Sequence, residues 1–139
     1  MTVERLDGVV DSVVERTPPP GVLARVGLGA MVLLAGVHKL LDPAAWTVYV
    51  VGWLEPAIVV SPTTFVLANG WLELVFGLAL ILDRYTLFTA FVAAASLSAT
   101  VVYLAVVWVT TGQFGDVVAR DVGLAALAWA VTVDTLRRR

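Results

Sequence analysis

Four apolar stretches, at about 21–41, 63–82, 85–110 and 117–136, constrain this chain more than any motif in it. Each is close to the roughly 20 residues that a helix needs to cross the hydrocarbon core of a bilayer. The composition leaves little alternative. Charged residues make up 14% of the chain and hydrophobic ones 60%, whereas a soluble domain carries about 25% charged residues. So few charges cannot build a water-facing shell, and the apolar surface must face lipid. A length of 139 residues gives room for one domain. The expectation is an all-α membrane protein, a four-transmembrane-helix antiparallel bundle.

The breaks between the runs support that reading. Asp42-Pro43 ends the first, because a residue before proline avoids the α region. Asp83-Arg84 ends the second, and Asp116 is expected to be the N-cap of the fourth. The connections at 83–84 and 111–116 are short, which makes successive helices antiparallel neighbours. Between the first two runs, residues 43–62 are apolar but interrupted by Gly52 and Pro56, and they carry Trp46, Tyr49 and Trp53. Tryptophan and tyrosine concentrate at membrane interfaces, so this stretch is expected to be an interfacial or re-entrant segment and not a fifth span. Small residues at Ala90, Ala94 and Ser98, and again at Ala119 and Gly123, would let helices approach closely in lipid.

Residues 1–20 are set apart from the transmembrane domain at 21–139. Glu4, Asp7, Asp11 and Glu15 are unlike the basic start of a signal peptide. Leu6, Val9, Val10, Val13 and Val14 form a helical stripe. An amphipathic helix on the membrane surface or on a partner and a solvated tail are both open readings. Three prolines, Pro18 to Pro20, end any such helix by removing successive N–H donors. Arg5, Arg16, Arg25, Arg84 and Arg137 to Arg139 fall at one end of the spans, and only Lys39 and Arg120 at the other. Basic flanks stay on the cytoplasmic side. The expectation is a multi-pass cell-membrane protein with both termini cytoplasmic.

Several function classes lose their basis at this point. Without cysteine the chain offers no thiol chemistry of its own, and one histidine cannot make a multi-histidine metal or haem site. A net charge of −2 gives no reason to expect nucleic acid. What stands out is the polar set inside the spans: His38 and Lys39, Asn69 and Glu73, Tyr103 with Thr100, and Arg120 and Asp121. At 1.5 Å rise per residue, Glu73 lies about 15 Å from the outer end of its run, near mid-bilayer. An ionised group there costs about 2.5–3.5 kcal/mol on insertion scales, so these side chains should face inward and pair. Lys39 and Arg120 can balance Glu73 and Asp121, with His38 and Asn69 as bridges. Two readings are open: a neutral network that fixes helix order, or the lining of a polar pocket in the outer half. A lone histidine beside Lys39 is more often a hydrogen-bonded structural residue than a proton relay.

The pattern resembles the DoxX-like family of small four-helix membrane proteins. The stretches that carry the resemblance are ARVGLGAMVLLAGVHKLLDPAAW (24–46), NGWLELVFGLALIL (69–82) and RDVGLAALAWAV (120–131). Within them Arg25 opens the first helix, and Gly36 and Lys39 close it before Asp42-Pro43. Glu73 and Gly77 follow in the second, and Asp121 opens the fourth. The resemblance implies a membrane subunit of a redox or stress-response complex, akin to those of a thiosulfate:quinone oxidoreductase or of thiol-homeostasis complexes. Whether the chain is an enzyme stays open; the reading is a subunit of an oxidoreductase complex, not catalytic alone. Its pocket would take a quinone headgroup or a small anion. Lys39 and Arg120 would supply charge, while Asn69, Glu73, Tyr103 and Asp121 would supply hydrogen bonds. The expected partners are the bilayer and other membrane subunits or further copies of the chain. The alternatives are an assembly or chaperone-like membrane protein, in which the network is structural, and a small-solute transporter.

Overall fold

The computed structural model describes residues 3–139, with side chains from residue 6 onward. The elements are α1 (Val3–Arg16), α2 (Pro20–Leu41), α3 (Ala44–Thr47), α4 (Pro62–Ile81), α5 (Thr86–Thr111) and α6 (Gly115–Arg137), with one 3-10 turn at Glu55–Ala57. The described residues contain no strand. Three helices, α2, α4 and α5, are long and apolar enough to cross a membrane. The fourth apolar run also forms a helix, α6 of 23 residues. It carries Asp116, Arg120, Asp121, Asp134 and Arg137 and is not among the three apolar enough to cross.

The helix ends follow local chemistry. Pro20 and Pro62 sit at first helical positions, where a missing N–H costs nothing. Ser61 caps α4 by accepting from the Thr64 amide at 3.2 Å. The start of α6 differs from expectation. Its N-cap position is Phe114, in the left-handed region at φ 65°, and Asp116 lies in the first turn instead. Gly112, also left-handed at φ 76°, ends α5 two residues earlier. Two left-handed positions so close together turn the chain sharply and let α6 begin at Gly115. Asp116 still complements the positive end of the helix dipole.

The tightest contact is between α2 and α4, and it is made by backbone. Gly29 and Gly36 lie against Gly77 and Gly70, each pair seven residues apart on its helix. A Cβ on Gly36 would stand 2.7 Å from the Gly70 carbonyl oxygen, and one on Gly77 2.8 Å from that of Gly29. The pairing is antiparallel, and α5 and α6 form a second close antiparallel pair. The two pairs touch more lightly, through α2 with α6 and α4 with α5. Around Leu28, Val32, Leu80, Ala90, Ala94, Ala128 and Val131 they share one buried cluster. Near one end of it, the Arg25 side chain is buried and donates to the carbonyls of Leu80 and Ile81 (2.9 Å for the latter). These are carbonyls of the last turn of α4, where the regular helical bonds run out; Leu80 O also accepts from the Asp83 amide at 3.3 Å. Arg25 Nε is also 3.5 Å from Asp83, so one side chain ties the start of α2 to the end of α4.

Residues 43–61, expected to be an interfacial or re-entrant segment, form no continuous helix. They make only α3 and the 3-10 turn, because Gly52 and Pro56 interrupt longer helical runs. The segment folds over the end of the bundle opposite Arg25. The Tyr103 hydroxyl on α5 holds it there, donating to Tyr49 O at 2.7 Å and accepting from Val51 N at 3.1 Å. The first sixteen residues do include a helix, α1, whose stripe of Leu6, Val9, Val10, Val13 and Val14 is exposed.

The glycine contact can be tested directly. An alanine normally stabilises a helix by about 1 kcal/mol over glycine. In Gly77→Ala the new methyl would meet Leu33 N at 2.5 Å and Gly29 O at 2.8 Å, both backbone atoms. Gly77→Ala should therefore lower the melting temperature in detergent. Gly27→Ala, with nothing within 4 Å, should leave it unchanged or raise it.

Candidate functional site

The register of that glycine contact brings Lys39, near the C-terminus of α2, against Asn69 and Glu73 on α4. Lys39 Nζ donates to Asn69 Oδ1 and to Glu73 Oε1, each at 2.6 Å. Lys39 is buried, and its ammonium also stands 4.5 Å from the centre of the Trp46 ring on α3. That distance is within the range of a cation–π contact. An ammonium has three protons to donate, and these three neighbours occupy it. The other oxygen of Glu73, Oε2, is buried and has no hydrogen-bond partner among the described residues.

On α6, Arg120 Nε donates to Asp121 Oδ1 at 2.9 Å. The two differ in setting. The Asp121 side chain is 8% exposed and that of Arg120 59%. Among the described residues no other hydrogen bond forms to the Arg120 guanidinium, so most of its five N–H donors remain available. The charges thus pair within themselves, Lys39 with Glu73 and Arg120 with Asp121.

Both pairs line one cavity of about 570 Å³ between α2, α4, α5 and α6. Its polar wall consists of Lys39, Asn69, Glu73, Arg120 and Asp121, with Tyr103 and Thr100 from α5. The remainder is apolar, including Val32, Phe76, Val92 and Leu97. Volumes of about 300–1,000 Å³, mostly apolar with a few convergent polar groups, are typical of small-molecule sites. Of the eight polar residues singled out from the sequence, seven therefore line one space.

His38 does not. It is exposed outside the cavity, and its Nδ1 accepts from the Trp46 indole at 2.7 Å. It bridges no pair of charges; it fixes the indole that covers Lys39. The reason is angular, since adjacent helical residues point about 100° apart and Lys39 already faces inward. Tyr103 lines the cavity with its ring, but its hydroxyl is committed to the backbone of the 43–61 segment. Two residues acquire roles that sequence reasoning did not give them. Trp46, expected from its type at a membrane interface, is a wall of the site, and Arg25, counted in the sequence among the basic flanks, is a buried clasp.

A family model described as DoxX matches residues 21–111. The chain belongs to the DoxX family. Among curated proteins and among solved structures, nothing matches it. The matched stretch of this DoxX protein includes α2, α4 and α5, and with them Lys39, Asn69, Glu73 and Tyr103. It stops before α6, so Arg120 and Asp121 lie outside it.

The Lys39–Glu73 pair makes a quantitative test. Removing one member of a buried ion pair costs about 3–5 kcal/mol, because the other charge is left uncompensated. Lys39→Met should lower the melting temperature strongly. Glu73→Gln, which keeps a hydrogen bond to Lys39, should lower it less. The double variant should be more stable than Lys39→Met alone, and simple additivity of the two losses would show that the pair is not coupled.

Proposed function

We propose that this DoxX-family chain is a multi-pass membrane subunit that holds a small neutral amphiphile of the quinone–quinol class in the cavity among its four long helices. The observation that carries this reading is the cavity itself, polar at the Lys39–Arg120 end and apolar elsewhere. A quinone headgroup offers carbonyl acceptors and its reduced form offers hydroxyl donors. Arg120 supplies free donors, and Glu73 Oε2 is a buried acceptor without a partner. Charge decides between a quinone and the alternative of a small anion. Lys39 and Arg120 balance Glu73 and Asp121, so an anion would add an uncompensated charge to a low-dielectric site. A neutral ligand avoids that cost.

In this reading the chain is not catalytic alone. It presents the ligand to a redox partner, in keeping with the redox subunits that the family resemblance implies. All four long helices cross the bilayer, with the charges of α6 turned to the cavity or to the ends. Both termini are cytoplasmic, because Arg25, Arg84 and Arg137 to Arg139 gather at one end. A second reading has its own support. The internally satisfied charges suit a structural network in an assembly protein, where Lys39 and Glu73 fix the α2–α4 register.

Organic extraction of the protein purified in mild detergent separates the two. The ligand reading expects a bound quinone or quinol in the wild type. Arg120→Lys, which keeps a partner for Asp121 but loses the guanidinium fork, should fold normally and retain several-fold less. A protein that carries no quinone and binds none when it is added is the structural one. Orientation has a separate check. A cysteine at Gln113 should react with an impermeant thiol reagent on intact cells and one at Thr17 should not; the reverse pattern would invert the topology.

A further inference from the structure

The cavity wall is not equally closed on all sides. Within each pair, α2 with α4 and α5 with α6, the helices are in close contact, whereas α4 and α5 touch only lightly. They are joined through the turn at 82–85 and then face each other across the cavity. Four residues along this seam line the cavity and are nevertheless exposed: Phe65 and Leu72 on α4, Ser96 and Ala99 on α5. Phe65 is 44% exposed and Leu72 56%. A side chain that lines the cavity and is still exposed marks a place where the wall does not close; Arg120 on α6 is another, but only on the α4–α5 side do such residues come from two facing apolar helices. The gap is framed at both ends by aromatic pairs, Phe76 with Phe88 (centroids 6.0 Å apart) and Trp53 with Tyr103 (5.2 Å).

The outside of the gap is hydrocarbon, because α4 and α5 are two of the helices long and apolar enough to span. Water would have little reason to use such a seam, and an apolar chain would have every reason to. The helical spacing agrees: Phe65 and Leu72 are seven residues apart and share a face of α4, and Ser96 and Ala99 are three apart on α5. Small residues on one edge leave room, and large apolar ones on the other offer contact.

We propose that the α4–α5 seam is a lateral opening to the bilayer, in which the apolar tail of the ligand lies while its polar head sits between Arg120 and Glu73. The inference rests on the ligand reading above and narrows it to molecules dissolved in the membrane. It makes tail length independent of cavity volume, because the tail continues into lipid. It also gives Ser96 and Ala99, at the edge of the cavity, a part in selecting for the tail.

The test compares two probes on the full-length protein in lipid nanodiscs: a benzoquinol bearing a decyl chain, and the same quinol without one. Each buried methylene contributes about a fourfold gain in affinity. With lipid-dissolved probe subtracted and affinities referred to the free aqueous probe, the wild type should prefer the decyl probe by at least about tenfold. Ala99→Phe and the milder Ser96→Leu narrow the seam. They should cost the decyl probe far more than the tailless one and so remove that preference. A decyl preference that survives in both variants would overturn the lateral opening while leaving the ligand reading in place. So would a loss in which both probes weaken together, since the tail would then not be what the substitution meets. Binding of neither probe to the wild type would overturn the ligand reading itself, and the opening with it.

Discussion

The backbone-to-backbone contact of α2 with α4 is the constraint on which the rest of the molecule depends. In lipid, apolar side chains gain nothing by leaving one hydrocarbon for another, so helices associate through close packing and polar contacts. Gly29 and Gly36 against Gly77 and Gly70 supply the first, and Lys39 with Asn69 and Glu73 supplies the second. The two are coupled by geometry. Because Gly36 lies beside Gly70, Lys39 three residues later arrives level with Asn69 and Glu73. A bulkier pair of helices would hold those side chains too far apart to meet at 2.6 Å, and the charges would remain in the membrane without partners.

The bundle divides along its length. Toward the Arg25 end, Leu28, Leu80, Ala90, Ala94, Ala128 and Val131 fill the interior. Arg25 closes that end by taking up terminal carbonyls of α4. Toward the other end the helices enclose space, and the 43–61 segment covers it through the hydroxyl of Tyr103. Tight packing in one half is what allows a cavity in the other, since a pocket needs a frame that does not collapse into it. Trp46 and His38 extend the frame: the imidazole holds the indole, and the indole covers the Lys39 ammonium.

Much of the fold was legible in the residues because it follows from local rules. Apolar runs of membrane length, Asp42-Pro43 and the short turn at 83–84 fix three apolar helices and a fourth long one to within a residue or two. The polar residues were legible as a set, since ionisable groups in apolar runs must find one another. Their partners were less so. Nothing in the one-dimensional pattern says that His38 stays outside the cavity and holds Trp46, or that Tyr103 gives its hydroxyl to the backbone of a segment about fifty residues earlier. The start of α6 was misplaced for a similar reason: Asp116 has the chemistry of a cap, but Phe114 takes a left-handed conformation that its type does not advertise.

The sequence by itself determined the solvent of this protein, its helical class and the residues that could not be left alone in lipid, because hydropathy and charge are properties of single residues. The tertiary structure alone decided that Lys39 pairs with Glu73 and Arg120 with Asp121, that Glu73 keeps one oxygen unpartnered, and that the space between the helix pairs stays open. Those outcomes depend on the relative angle and distance of helices far apart in the chain. Four glycines set that distance on one side of the bundle, and small residues of α5 and α6 share in the core that sets it on the other.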